Sequence, residues 1–210
     1  RFKAIEGTPR EQPTVPQGPR GNVAVFCERE GLTGPLMHVS AELLGCARSL
    51  AERLGVDVDA LLIGNDLAAC AQEAIAFGAD RVLLAEAPRF AQFEDQVWSA
   101  AMGAIIKAEA PYILLGGATA LGRALLPRVA VEIHTGLTAD CTELAIDPET
   151  SLLLQTRPAF GGNILATITC ERHRPQMATV RPGVLPRPDP NPARQGTIVH
   201  IDTGPPFVGP

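Results

Sequence analysis

"YILLGGATALGRALLPRVAVEIH", running from Tyr112 to His134, decides the fold. Its first part, "YILLGG", is an apolar run of strand length that ends in a glycine pair. From Ala120 to His134 the spacing turns helical, and Pro127 opens a second helical turn there or kinks the first. A buried strand, a glycine turn and a helix in direct succession form half of a β-α-β crossover.

The same unit recurs upstream. "NVAVFCE" (22–28) predicts a buried strand. Ser40 offers an N-cap for the helix "AELLGCARSLAERLG", in which Leu43, Leu44, Ala47, Leu50, Ala51 and Leu54 share one face and Gly55 supplies the stop. "VDALLIG" and "RVLLAE" predict two more strands. Each is followed by a helix, "DLAACAQEAIAFG" closed by Gly78 and "EDQVWSAAMGAIIKAEA" ended by Pro111. Strands alternating with amphipathic helices imply right-handed crossovers and a parallel sheet covered on both faces. After Gly136 the helices stop. "LTADCTELAI", "SLLLQTR", "NILATITC" and "QMATV" are short strand-like runs separated by turns, which predicts antiparallel pairs added to the sheet or packed beside it. The expected fold is therefore an α/β three-layer sandwich with a mostly parallel sheet and added antiparallel strands towards the carboxyl end.

Both ends of the chain are rich in proline. Residues 1–20 read as an extended arm, 21–184 as the globular domain and 185–210 as a tail in which only "TIVHI" is fit to pair as a strand. With 210 residues, 46% hydrophobic and 4% aromatic, the chain can build one sizeable aliphatic core. A formal net charge of −5 argues against general nucleic-acid binding, which needs a basic face. No apolar run reaches membrane-spanning length, and no signal-peptide pattern opens the sequence. Cys27, Cys46, Cys70, Cys141 and Cys170 are odd in number, lack a C-x-x-C pair and sit among apolar neighbours, so they read as buried reduced thiols of a cytoplasmic protein.

Few residues carry a chemical signature. In "LLGGATALGR", Gly116, Gly117, Thr119 and Arg123 stand where a strand meets a helix, and backbone amides at such a junction can hold an anion. The alternative is a tight turn that lets the helix pack on the sheet, since neither the Walker nor the G-x-G-x-x-G spacing is present. Arg123 and Arg128, with Glu132 four residues after Arg128, read as a surface or interface ion-pair face. His38, His134, His173 and His200 have no metal-ligand spacing, so no metal is expected, and no catalytic triad or Cys/His grouping is readable. Asp140 stands at a strand end, as a ligand-site carboxylate or a turn cap.

Arg157 ends the apolar run "SLLLQTR" and precedes Pro158, Phe160 and Gly161. Arg181 likewise follows a strand and precedes Pro182. An arginine beside an apolar strand must be paired or reach solvent. Either these two cap hairpins in water or they form one positive rim that meets a partner.

Taken together and in order, "GGATALGRALLPRVAVEIHTGLTADCTEL", "LLQTRPAFGGNILATI" and "HRPQMATVRPGV" resemble the amino-terminal domain of the electron transfer flavoprotein alpha subunit. "TRPAFGGN" and "HRPQMATVRP" are most similar to anaerobic and bifurcating-type members. The resemblance implies an adenine-nucleotide-hydrolase-like sandwich that scaffolds a heterodimer with a beta subunit. It also implies electron flow between an acyl-CoA or other dehydrogenase and an acceptor through FAD. The carboxy-terminal FAD domain expected after "TIVHID" is not in this sequence, so no independent turnover is expected of it. In bifurcating relatives an alpha-subunit arginine approaches the beta-subunit flavin, and Arg157, with Pro158, Phe160 and Gly161 as its turn, takes that place by resemblance. A universal-stress-like protein that binds a nucleotide at Gly116–Arg123 is the rival expectation.

Overall fold

Periodicity places the elements, and long-range pairing arranges them. The structure, a computed structural model, describes residues 21–162 and 164–204. The expected arm 1–20 and the end of the expected tail, 205–210, lie outside the described residues, as does the side chain of Phe160. Four strand–helix units come first: β1 (Val23–Phe26) and α1 (His38–Leu54), β2 (Val58–Gly64) and α2 (Ala68–Ala76), β3 (Arg81–Glu86) and α3 (Asp95–Glu109), β4 (Ile113–Gly117) and α4 (Ala120–Glu132). There follow β5 (Leu137–Cys141), β6 (Glu143–Ile146), β7 (Leu153–Ala159), β8 (Ile164–Ile168), β9 (Gln176–Val180) and β10 (Thr197–His200).

Seven strands form one sheet in the order β10-β3-β2-β1-β4-β9-β5, and every neighbouring pair is parallel. Side chains alternate across it. Val23, Val25, Leu62 and Leu115 meet α1 and α2 on one face, while Phe26, Leu61, Leu83 and Leu114 meet α3 and α4 on the other. The expected three-layer sandwich is thus observed. The added antiparallel strands are β6, β7 and β8, a separate small sheet packed beside α1.

Two local expectations need correction. "QMATV" and "LTADC" were expected among the antiparallel strands, but β9 lies between β4 and β5 and is parallel to both. The fully buried pattern of β9 fits a strand covered on two faces. Ser40 is not an N-cap, because α1 starts two residues earlier, after Met37. The Ser40 hydroxyl instead accepts from the Glu28 amide at 2.8 Å and donates to the Glu28 carbonyl at 3.1 Å, tying the first turn of α1 to the end of β1. Gly55 closes α1 in the left-handed conformation, as its position predicts.

The proline-rich segment after β9 is a strap across α1 and α2. Gly183 N–H donates to the Glu42 carboxylate at 3.0 Å, and a Cβ at Gly45 would come within 2.8 Å of Pro188. Asn191 N–H bonds Ala76 O, and Arg194 pairs with Asp80 at 2.5 Å. The strap delivers "TIVH" to the far edge of the sheet as β10, parallel to β3. Of the five cysteines, all reduced, Cys27, Cys70 and Cys141 are buried as expected, whereas Cys46 and Cys170 are half-buried.

Candidate functional site

The strand order reverses direction between β1 and β4, so the crevice at their carboxyl ends is where ligands of open parallel sheets usually bind. The chain fills that crevice itself. Glu28, the second residue after β1, is buried, and Thr119 donates its hydroxyl to the carboxylate, with Oγ1 2.9 Å from Oε1 and 2.7 Å from Oε2. No ion pair engages Glu28 among the described residues. Burial therefore dominates and pushes its carboxyl up to about 6, with the Thr119 hydrogen bond opposing.

The glycines of "GGATALGR" serve close packing around this carboxylate. A Cβ at Gly122 would lie 2.0 Å from Gly117 O, and one at Gly116 would lie 2.3 Å from Leu126 Cδ1. Two of the loop amides are already engaged. Thr119 Oγ1 caps α4 by accepting from Gly122 N–H at 2.9 Å, and Ala118 N–H donates to Val180 O at 2.7 Å. The two expectations for this loop were an anion site and a packing turn, and Gly116 and Gly122 supply the close approaches that a packing turn needs.

Cations gather further along the same edge, where β9 and β5 end. Asp140 sits in a bulge, where the β5–β9 register shifts between Thr138 and Cys141, and its φ is +63°. Its amide donates to Thr179 Oγ1 at 2.9 Å. Arg181 grips the carboxylate with two nitrogens, Nη2 at 2.6 Å and Nε at 3.3 Å, and Arg123 Nη2 lies 3.7 Å away. Arg157 stands beside this group: Thr142 N–H, two residues after Asp140, donates to the carbonyl of Thr156. Arg181 first, then Arg123 and Arg157, hold the Asp140 carboxyl below its usual range.

Arg157 and Pro158 lie within β7 rather than after it, paired with Ala166 and Leu165 of β8. A proline is tolerated there because β6 ends opposite Thr156, leaving one side of β7 open. The turn itself is Phe160–Gly162, with Gly161 exposed at φ +73°. Arg128 belongs elsewhere: it pairs with Asp95 and Glu132, both at 2.9 Å, on the outer face of α3 and α4. The predicted ion-pair face therefore divides, with Arg123 on the rim and Arg128 on the helices. Among the described residues no group of histidine, cysteine and acidic side chains has metal-site geometry. No helix there is long and apolar enough to cross a membrane. Glu28 was not singled out from sequence; the one signal was an acid directly following an apolar strand.

The sheet and its two layers of helices define a doubly wound α/β domain. Residues 25–205 match the model of the electron transfer flavoprotein domain, and the chain belongs to that family. It is 45% identical over 181 residues to the electron transfer flavoprotein subunit alpha of Thermoanaerobacterium thermosaccharolyticum, covering 86% of this chain and 54% of that protein. The protein FixB of Rhizobium meliloti is 44% identical, with 86% and 52% covered. The acryloyl-CoA reductase electron transfer subunit beta of Anaerotignum propionicum is 37% identical, with 78% and 50% covered. The chain spans about half the length of these curated relatives.

Proposed function

We propose that this chain is the amino-terminal base of an electron transfer flavoprotein alpha subunit, which docks a beta subunit and places Arg157 beside the flavin held by that partner. One observation carries the reading. The β7–β8 hairpin bearing Arg157 has an outer strand with Ile164 54% and Leu165 64% exposed, and among the described residues β8 has no pairing partner beyond β7. Natural proteins seldom leave an apolar edge strand open unless something covers it.

A flavin fits one part of this chain and not another. The β1–β4 crevice holds a buried carboxylate and packed glycines, both of which oppose a nucleotide phosphate on the Gly116–Arg123 loop. That weighs against the universal-stress-like rival at Gly116–Arg123. The rim suits an electron-rich group presented from outside, because Arg123 and Arg181 pair with a single aspartate and Arg157 stands beside them. When bound, the flavin supplies one- and two-electron exchange between an acyl-CoA or other dehydrogenase and an acceptor. Arg157 contributes a permanent cation, which favours the more negative, reduced form of whatever lies against it. Pro158 and the glycine turn fix the hairpin's approach, Ile164, Leu165 and Ile168 exclude water from the contact, and the complex works in the cytoplasm.

Arg157→Ala in the assembled alpha–beta complex, followed by reductive titration of the flavins, tests the reading. The partner-bound flavin should become harder to reduce. Unchanged potentials in a complex that still assembles would refute it.

A further inference from the structure

We infer that Asp140 is a positioning residue for the arginine rim: it holds Arg181, and Arg123 beyond it, as their shared counter-ion, and so leaves Arg157 as the cation offered to the partner's flavin. The inference rests on the proposed placement of Arg157 and adds to it the residue that sets the charge there.

Three features of Asp140 converge. Its backbone lies in the left-handed region, where aspartate and asparagine are tolerated better than other non-glycine residues. The bulge and the Thr179 hydrogen bond fix that conformation and turn the carboxylate towards the rim rather than along the ladder. Arg181 then meets it through two nitrogens of its planar fork, a geometry that restrains the guanidinium as well as neutralising it. Arg157 differs from its two neighbours, because no hydrogen bond or ion pair engages its guanidinium among the described residues. Three guanidinium charges against one carboxylate leave the rim at +2.

Asp140→Asn is suited to the test, since asparagine keeps both the shape and the left-handed backbone. It should raise the rim to +3, release Arg181 and make the flavin in the alpha–beta complex easier to reduce. Arg181→Gln should do the reverse: it leaves the Asp140 backbone untouched but frees the carboxylate to engage Arg157, and the flavin becomes harder to reduce. Reductive titrations of both variants, of Arg157→Ala and of Arg181→Gln/Arg157→Ala form a double-mutant cycle. If the freed Asp140 carboxylate acts through Arg157, Arg181→Gln shifts the potential much less in the Arg157→Ala background. Equal shifts in the two backgrounds would make Asp140 a distant charge and overturn the proposal, as would no effect of Asp140→Asn or Arg181→Gln while Arg157→Ala still shifts the potential. No effect of Arg157→Ala would instead remove the placement of Arg157, and this inference with it. Arg181→Gln decides the matter should Asp140→Asn fail to fold.

Discussion

Glu28→Gln should make the domain more stable near neutral pH and leave it little changed or weaker in mild acid. The carboxyl of Glu28 is pushed up from an ordinary 4.5 to about 6 because it is buried with a single hydroxyl donor. A group with a raised folded value favours folding while it is protonated. Its contribution is therefore fully present below about 4.5 and lost as pH rises through about 6. That interval, at about 1.4 kcal/mol for each tenfold change in proton affinity, is worth about 2 kcal/mol. Glutamine keeps an acceptor for the Thr119 hydroxyl but adds an amide whose own hydrogen bonds depend on what the site provides. Any such cost is independent of pH, so it cancels when the two pH values are compared. Urea denaturation of both proteins at about pH 4 and pH 7.5 gives the comparison. The variant's advantage over the parent should be about 2 kcal/mol larger at the higher pH. An advantage that does not change with pH, or that falls, would refute the claim that Glu28 is a desolvated carboxylate without a compensating cation.

Three further outcomes follow from the packing and the charge networks. Gly122→Ala should destabilise the domain by about 1–3 kcal/mol despite alanine's better helix propensity, because its Cβ would sit 2.0 Å from Gly117 O; urea midpoints at unchanged slope measure it. Asp59→Ala should cost about 3 kcal/mol in the same assay, since Asp59 is buried, accepts from Arg81 Nε and Nη2 at 2.8 Å and accepts from Asn22, while Glu109 still holds Arg81; a loss below about 1 kcal/mol would contradict this. Arg194→Ala should lower global stability by only about 1 kcal/mol, because its partner Asp80 is partly exposed and keeps Arg48. Hydrogen exchange should nonetheless speed up at the Asn191 and Thr197 amides, which fasten the strap and the start of β10, and stay unchanged in β4.

The elements were legible because their signals are local. α1 shows its apolar stripe and its closing Gly55 within 17 residues, and each early strand is a short apolar run. What failed was decided at a distance. Ser40 has the chemistry of a cap, yet its hydroxyl is taken by the backbone of Glu28, twelve residues earlier. The run "QMATV" has the composition of any buried strand; only the gap between β4 and β5 makes it parallel. Arg157 and Arg181 were legible as a pair of arginines before prolines, but their meeting around Asp140 depends on a bulge that no periodicity reveals.

Glu28 and Asp140 carry the same chemical group on the same edge of one sheet, and their surroundings drive them apart. Glu28 has one hydroxyl donor and no ion pair among the described residues, so burial raises its carboxyl, and once ionised it offsets the positive charge of Arg29 on the same crevice lining. Asp140 is ringed by Arg181, Arg123 and Arg157, so its carboxyl is lowered and the β5–β9 end stays positive with it ionised. The net positive charge of this edge therefore lies at the rim beside the exposed hairpin rather than in the usual ligand crevice of the fold. The proposed docking of a second subunit at the hairpin would use that polarity, since the group it presents would meet the cations at the rim.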